Sequence, residues 1–534
     1  MSSDTDRNLT EVVGISDVAS SSYSAPKQKL SDPDLAYNFL ANVNASDDAA
    51  ARVDLKRLRR KIDWYIVPIM FLCYTMQFVD KVSLNYAAVM GLPKDLKLQG
   101  NEFTNAATSF FISYLIAEIP NGKPLIKKTD DPFANSLSGY ILNKVPAGKW
   151  LGANVMLWGI ATACTAAAHN YQSLLAARVF LGIFEAAIAP SLMLISSQYY
   201  TKSEQAPRFS FWYCGLGIGQ IAGGAVSYGF QQLENPSFQG WRVMFVVLGV
   251  VTAVIGIVTA LIIPDSPMAA QFLSEVEKVA LLKHVSVNKT GVQNMHFKPK
   301  HALEAFADIQ IWLLTLITVL ISISSGVITT YSATLIKNIG YTPPQAALLN
   351  MPSGIVSIFA TLLVGYGVRF MPSGQRWAWI VFCCVPGIMG GALMSFLPSG
   401  KTNANKPGLL AGIYLINFVV ATLIVLYQWV ASNVAGSTKR VVSMALVSAA
   451  FSVGNIVGPQ TFQAKDAPQY IPAKIIVLAT QAAGAAVTVA LFAYYRYANG
   501  QKEKREAVMN EISTEKSQWD NLTDKENVKF RYVY

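Results

Sequence analysis

Two stretches of the chain share one spacing and fix its plan: Gly139-Tyr-Ile-Leu-Asn-Lys-Val-Pro-Ala-Gly148-Lys149-Trp150 and Gly365-Tyr-Gly-Val-Arg-Phe-Met-Pro372-Ser-Gly374-Gln-Arg376. Each follows one long apolar run and precedes another. Each opens on Gly-Tyr, carries a base within the next few residues, and closes on Pro-x-Gly and a basic residue. Such a segment reads as a short cationic turn between two membrane helices, and two copies imply two related halves. The rest of the chain agrees, since 52% hydrophobic and 14% charged residues are too apolar a mixture for a soluble protein of 534 residues. A hydrocarbon core of roughly 30 Å takes about 20 apolar residues per helix, and about a dozen such runs can be marked.

The runs fall at about 64–90, 102–120, 151–168, 173–199, 209–230, 240–264, 311–334, 345–366, 376–397, 407–430, 441–462 and 474–497. The expected fold is an all-α membrane protein with twelve transmembrane helices in two pseudo-symmetric six-helix bundles. Residues 1–61, polar and rich in Ser and Asp, read as a disordered cytosolic tail without a cleavable signal peptide. The first bundle then covers 62–263, a central cytosolic linker 264–308, the second bundle 309–497, and a mobile cytosolic tail 498–534.

Residues 122–138 interrupt this plan with two prolines and five charges. Removing them joins Glu118-Ile-Pro-Asn121 to Gly139-Tyr-Ile-Leu and restores a continuous helix that matches the run into Gly365. The segment is therefore read as a retained intron. Its ends fit, because Gly-Lys can be encoded as GGTAAG and Ala-Asn-Ser-Leu-Ser-Gly can hide a CTAAC branch site before a terminal CAG. The alternative is a genuine cytosolic insertion, which would disturb the end of the second helix.

The formal net charge of +11 does not point to nucleic acid, because the bases cluster in alternate loops. They lie at Arg52 to Lys61, Lys144 and Lys149, Lys202 and Arg208, Lys278 to Lys300, Arg369 and Arg376, Lys439 and Arg440, and Arg496 to Arg505. That is the positive-inside pattern, and it puts both termini in the cytosol, with the plasma membrane the expected location. The five cysteines fall inside apolar runs, so neither a disulfide framework nor a metal site is expected. The sequons at Asn8, Asn44, Asn288 and Asn521 lie on segments expected to be cytosolic and unglycosylated.

Several signatures then occur in order: Asp80-Lys-Val-Ser-Leu-Asn85, Gly100-Asn-Glu-Phe103, Ala117-Glu-Ile-Pro120, Gly182-Ile-Phe-Glu185 with Pro190, Gly240-Trp-Arg242, Pro264-Asp-Ser-Pro267, Leu349-Asn-Met-Pro-Ser-Gly354 and Asn433-Val-Ala-Gly-Ser-Thr-Lys-Arg440. Together they resemble the fungal allantoate permease family of the major facilitator superfamily, the anion:cation symporters. The match runs from about residue 60 to the end of the chain, apart from the interruption after Asn121. The resemblance implies that the two cationic turns are the gating loops, with Gly139, Asn143, Lys144, Gly148 and Lys149 in the first and Gly365, Arg369 and Gly374 in the second. Asn143 stands where the superfamily usually has an acid, which puts an acid-dependent latch in doubt. Met268 follows Pro264-Asp-Ser-Pro267 where sugar porters often carry a base, which weakens a sugar reading.

An ion on a membrane helix costs roughly 3 kcal/mol or more unless it meets a partner or a wet cavity. Counted at 1.5 Å per residue, Asp80 and Arg178 lie at similar depth, while Lys81 is turned about 100° from Asp80. Arg178 and Lys81 are candidates to attract an anionic substrate and Asp80 to take the coupled proton; a structural ion pair between the first and fourth helices is the competing reading. Glu185, two turns beyond Arg178 on the same face, is a second candidate proton carrier near the bilayer centre, or else a hydrogen-bonded packing residue. Glu118 reads as a structural partner for a loop base. Gln77, Asn85, Gln220, Asn350 and Gln428 are candidates to line the cavity, with helix-to-helix hydrogen bonding an equal alternative. For Trp212, Tyr213, Trp312, Tyr331 and Trp429, packing or interface anchoring is the default.

The expected function is proton-coupled import of a small organic anion by alternating access; the resemblance implies ureides such as allantoate, vitamin carboxylates such as nicotinate, pantothenate or biotin, or other carboxylates as substrates. No enzyme activity, no bound cofactor beyond the proton gradient, no metal, no nucleic-acid partner and a monomer in the lipid bilayer are expected, and no Gly-x-x-x-x-Gly-Lys-Ser/Thr loop occurs. The alternatives are an exporter of a fungal secondary metabolite and a non-transporting nutrient sensor, the latter disfavoured by the short tail.

Overall fold

The computed structural model describes residues 52–121, 146–232, 239–286, 298–370, 375–398, 405–508, 523–527 and 529–534. Within them the chain makes twelve helical passes. The first half has α1 Leu55–Met90, α2 Glu102–Asn121, α3 Ala147–Thr165, α4 in two pieces Tyr171–Glu185 and Ile188–Tyr199, α5 in two pieces Lys202–Tyr213 and Gly215–Gln231, and α6 Gly240–Ile262. The second half has α7 Ile309–Asn338, α8 Pro343–Phe370, α9 Arg376–Phe396, α10, α11 Ser437–Gln460 and α12 Ile471–Val508. In α10 a 3-10 segment, Asn417–Ala421, separates the helices Lys406–Ile416 and Thr422–Asn433. Among the described residues nine passes are each long and apolar enough to cross a membrane, and α2, α3 and α5 lie packed among them.

Local chemistry sets the ends and the breaks. Asp54 caps α1 by accepting from the backbone of Lys56 at 2.8 Å, and Gly91, at φ +112°, ends it in the left-handed conformation that only glycine adopts without strain. In α4, Pro190 has no N–H to give the carbonyl of Ala186, so the helix breaks at Ala186 and Ala187, directly after Glu185. In α10 the side chain of Asn417 donates to the carbonyl of Ile413 at 2.9 Å and competes with the backbone for it, which favours the tighter turn that follows. The outer face of α6 shows the membrane logic: Val246, Val250, Val254 and Leu261 are all exposed, which is tolerable only against lipid.

The two halves touch most intimately where α5 crosses α8. A Cβ on Gly217 would meet the carbonyl oxygen of Gly354 at 2.5 Å, so the two backbones are in direct contact across the half boundary. The linker between the halves contains a short 3-10 turn, Pro267–Ala269, and helices Glu275–Ser286 and Pro299–Ala307. It is fastened beneath the first half by Tyr65 stacking on Phe272 and by the Lys61–Glu277 ion pair at 2.8 Å. We call this the linker face of the molecule and the other the opposite face.

Several boundaries differ from expectation. Helix α1 begins at Leu55, so residues 55–61 are helical and not part of a disordered tail. Helix α8 continues to Phe370, so Gly365 and Arg369 belong to its last two turns and not to a loop; an isolated glycine in a packed apolar helix is tolerated. Helix α12 runs on to Val508, past the expected start of the tail at 498. The expectation of a mobile end is overturned for residues 523–534, whose described members pack onto the second half, with Thr523 and Asp524 fully buried and Tyr532 nearly so. The insertion 122–138 and the turn residues Gly139, Asn143, Lys144 and Gly374 lie outside the described residues, as does the first tail up to Ala51.

Candidate functional site

Three buried ions and one partly buried ion gather where α1 passes the break in α4. Asp80 and Arg178 are 2% and 3% exposed and Glu185 is fully buried, while the side chain of Lys81 keeps 15% exposure. Lys81 Nζ lies 3.0 Å from Glu185 Oε1 and within 5.9 Å of the ring centroids of Phe110 and Tyr114, both on α2. Asp80 turns the other way and accepts from Thr162 Oγ1 of α3 at 2.9 Å. Arg178 sits 5.9 Å from the centroid of the Phe245 ring, and its Nε and Nη2 have no hydrogen-bond partner among the described residues; neither does Asp80 Oδ2. Asp80 and Arg178 act on each other as opposite charges without forming a contact ion pair.

The arrangement follows from backbone placement. Gly182 brings α4 against α2 so closely that a Cβ would meet the carbonyl of Phe110 at 2.5 Å, which carries Glu185, one turn on, into the space beside Lys81. Gln77 is buried one turn before Lys81 on the same helix. The sum of the four ionised side chains is zero. The competing reading, an ion pair between the first and fourth helices, is met by Lys81 and Glu185 and not by Asp80 and Arg178, and Arg178 keeps donor capacity in a dry environment.

The polar residues expected to line a cavity divide. Asn85, Gln220 and Asn350 do come together, in a buried network that ties the halves to each other on the opposite face. Asn85 Nδ2 donates to Ser332 Oγ at 2.8 Å, Asn350 Nδ2 donates to the same oxygen at 3.0 Å and to Tyr86 Oη at 3.2 Å, and Tyr86 donates to the carbonyl of Gln220 at 3.2 Å. Further bonds close the same face: Asn101 to Gln463 at 2.6 Å, Thr104 with Tyr331 at 2.6 Å, and Gln460 to Thr108 at 3.0 Å. In this conformation the three amides serve the helix-to-helix alternative. Gln428 stands apart, half-buried on the lower piece of α10.

Among the aromatic residues, Trp212 and Tyr213 pack with Tyr74, and Tyr213 Oη donates to the carbonyl of Val420 in α10 at 3.3 Å. Trp312 is half-exposed and anchored to the carbonyl of Phe306 at 2.7 Å, as an interface residue should be. The partner of Glu118 is not a loop base: it accepts from Ser448 Oγ of α11, across the half boundary. Of the residues expected in the first cationic turn, Gly148 and Lys149 are described and lie in the first turn of α3, not in a loop; the backbone N–H of Lys149 donates to Asp265 at 3.2 Å and its ammonium lies 3.5 Å from the same carboxylate, which fastens the start of α3 to the Pro264-Asp-Ser-Pro267 motif. The residues missed by sequence reasoning are the small hydroxyl residues Thr162, Ser332 and Ser448 and the aromatic Tyr86, members of apolar runs that carry no one-dimensional signal.

Twelve helical passes in two six-helix halves, with buried ions between α1 and α4 and a sealed polar layer joining the halves on one face, are the architecture of a membrane carrier. The family model for the Major Facilitator Superfamily matches residues 132–459, and the chain belongs to that superfamily. Its fungal relatives include a Saccharomyces cerevisiae protein described as a thiamine pathway transporter, 34% identical with 96% of each chain covered. The allantoate permease of the same yeast is 31% identical, over 90% of this chain and 86% of the permease. Among solved structures, a D-xylose-proton symporter superposes with a TM-score of 0.59 over 80% of this chain and 97% of its own, at 15% identity, and so speaks to the fold alone.

Proposed function

We propose that the chain is a proton-coupled importer of a small organic anion, working by alternating access between its two halves. One observation carries this: a buried guanidinium, Arg178, has donor groups without partners beside the exchangeable pair Lys81–Glu185, within a set of four ions whose charge sums to zero. Adding an anion alone would leave that dry set with one uncompensated negative charge, which costs several kcal/mol. Adding the anion together with a proton keeps it neutral. The incoming carboxylate takes the donors of Arg178 and competes for Lys81; Glu185, displaced from its ammonium, takes the proton. Asp80, held by Thr162, orients and balances Arg178.

No bound cofactor is needed, because the proton gradient supplies the driving force. The bases on the linker face, from Lys56 to Lys61 at the start of α1 to Lys502 and Arg505 at the end of α12, support a cytosolic linker face in the plasma membrane. The anionic nature of allantoate, the solute named for one relative, agrees with the class argued from Arg178. The test is uptake of labelled allantoate, nicotinate, pantothenate and biotin at pH 5 and pH 7 by cells expressing the chain. At least one acid is expected to accumulate faster at pH 5 and to stop accumulating when a protonophore is added; uptake indifferent to the protonophore sinks the coupling.

A further inference from the structure

The second half carries a site on its linker face that the transport reaction does not use. Its centre is Lys439, a fully buried lysine whose ammonium lies 2.9 Å from Glu304, 2.6 Å from Asp308 and 2.7 Å from Asp524. The three carboxylates are close enough to hold a metal ion, but the ammonium already occupies the middle of the group. Asp524 belongs to the segment 523–534, in which Tyr532 and Val533 are gripped by their backbone. The N–H of Val533 donates to Asn433 Oδ1 at 2.8 Å, and the carbonyl of Val533 accepts from Asn433 Nδ2 at 2.8 Å and Trp429 Nε1 at 2.9 Å. One residue earlier Asn499 repeats the pairing, accepting from the N–H of Tyr532 at 2.9 Å and donating to its carbonyl at 2.9 Å. Each asparagine thus offers a peptide what a neighbouring β-strand would offer, with an aromatic anchor added where Tyr532 stacks on Tyr495 at 5.1 Å.

We infer that the second half contains a peptide-binding site, occupied in this chain by the turn 523–527 and by the extended residues 531–534, and that the bound segment is a reversible strap pinning the lower piece of α10 to α12. Three observations support reversibility and the element that is pinned. The strap brings one acid and one base to the buried cluster, Asp524 and Lys525, the latter 3.2 Å from Asp308, so its departure changes no net charge and leaves Lys439 with Glu304 and Asp308. Trp429 and Asn433 both lie on the piece Thr422–Asn433, below the 3-10 segment, whose poorer hydrogen bonding suits a hinge. Gly436, at φ +83° in the turn from α10 to α11, lies under Thr523, where a Cβ would meet the threonine methyl at 3.3 Å.

The test reads backbone motion and needs no substrate, so it stands or falls apart from the transport reading. Hydrogen–deuterium exchange is followed on the full chain in lipid nanodiscs for the wild type and for Asp524→Asn with Tyr532→Ala. With the strap released, as its own amides report, residues 422–433 are expected to exchange at least tenfold faster while α6 is unchanged. Unchanged exchange over 422–433 in that variant overturns the inference. Should the variant loosen everywhere, α6 included, a second chain decides: Glu506→Cys with Arg531→Cys, two positions whose side chains meet in the docked strap, bridged by a bis-thiosulfonate in a background with Cys164→Ser and Cys214→Ser. Bridging is expected to slow exchange over 422–433 at least threefold, and dithiothreitol to restore it; no slowing overturns the inference.

Discussion

Glu185→Gln separates binding from coupling. In the wild type, Lys81 and Arg178 are balanced by Asp80 and Glu185, so one proton must accompany each anion if the buried set is to stay neutral. The anion's apparent affinity should then weaken about tenfold for each pH unit once Glu185 is ionised in the empty carrier, which is about 1.4 kcal/mol per unit. Glutamine keeps the shape and an acceptor for Lys81 but leaves the set with one excess positive charge. The variant should bind the anion without a proton, with affinity flat between pH 5 and 8. It should still exchange labelled for unlabelled solute across the membrane, because exchange needs only the loaded carrier to reorient. It should fail to accumulate solute against its gradient. The assay is proteoliposome counterflow beside pH-driven uptake, with the allantoate, nicotinate, pantothenate or biotin that the wild type takes up as the probe. A Glu185→Gln variant that still concentrates solute on a proton gradient refutes the reasoning and moves the proton to Asp80.

Gly354→Leu forces a side chain into the carbonyl of Gly217 and should cost about 1–3 kcal/mol in stability as well as jamming the halves, seen as a lower melting temperature and lost counterflow. Asn350→Ala removes one donor each from Tyr86 and Ser332, which keep Gln220 and Asn85 as partners, and should weaken the seal on the opposite face by about 1 kcal/mol, read as faster maleimide labelling of Thr108→Cys. Burial alone would raise the carboxyl of Asp308, but the charge and hydrogen bond of Lys439, with Gln310 and Lys525, hold it below the ordinary carboxylate range. A carboxyl lowered in the folded state contributes stability above its unfolded value, and that contribution is lost as pH falls; melting temperature should therefore drop below about pH 4, with Asp308→Asn showing a shallower drop in scanning fluorimetry. Deleting 122–138 should leave uptake intact or raise it, as a retained intron would; uptake abolished by the deletion would show that the segment is needed.

The twelve passes, the two halves and the family were legible because apolar runs and turn residues are one-dimensional signals. The opposed faces of Asp80 and Lys81 were legible too, from a rotation of about 100° per residue. The Lys81–Glu185 pair was not, because depth counted along helix axes ignores where side chains lean. Each Cα–Cβ bond tilts toward its helix N-terminus, and α1 and α4 run in opposite directions, so Lys81 reaches toward the linker face and Glu185 away from it until they meet. The bonds from Asn85 to Ser332 and from Asn350 to Tyr86 depend on the register between two halves separated by more than 200 residues of chain, which no local pattern encodes. Lys439 reads in sequence as one more loop base; its burial depends on Asp308 and on Asp524, 85 residues away.

The halves repeat in backbone but not in charge. Both fourth helices are broken, α4 after Glu185 and α10 over Asn417–Ala421, so each half brings an irregular segment to the middle of the bundle. In α4 the break carries a carboxylate paired with Lys81. In α10 no charged residue stands between Lys406 and Asn433, and Asn417 spends its amide on its own helix. What the second half presents to the first near the site is neutral: the hydroxyl of Ser448 toward Glu118 and the carbonyl of Val420 toward Tyr213. A half that offers only dipoles can slide past the ion set without taking an unpaired charge out of it, at hydrogen-bond cost and not at the far larger cost of moving an ion through a dry interior. In the proposed mechanism the four ions then travel as one body with the first half, so that the charge crossing the membrane in a cycle would be that of the solute and its proton.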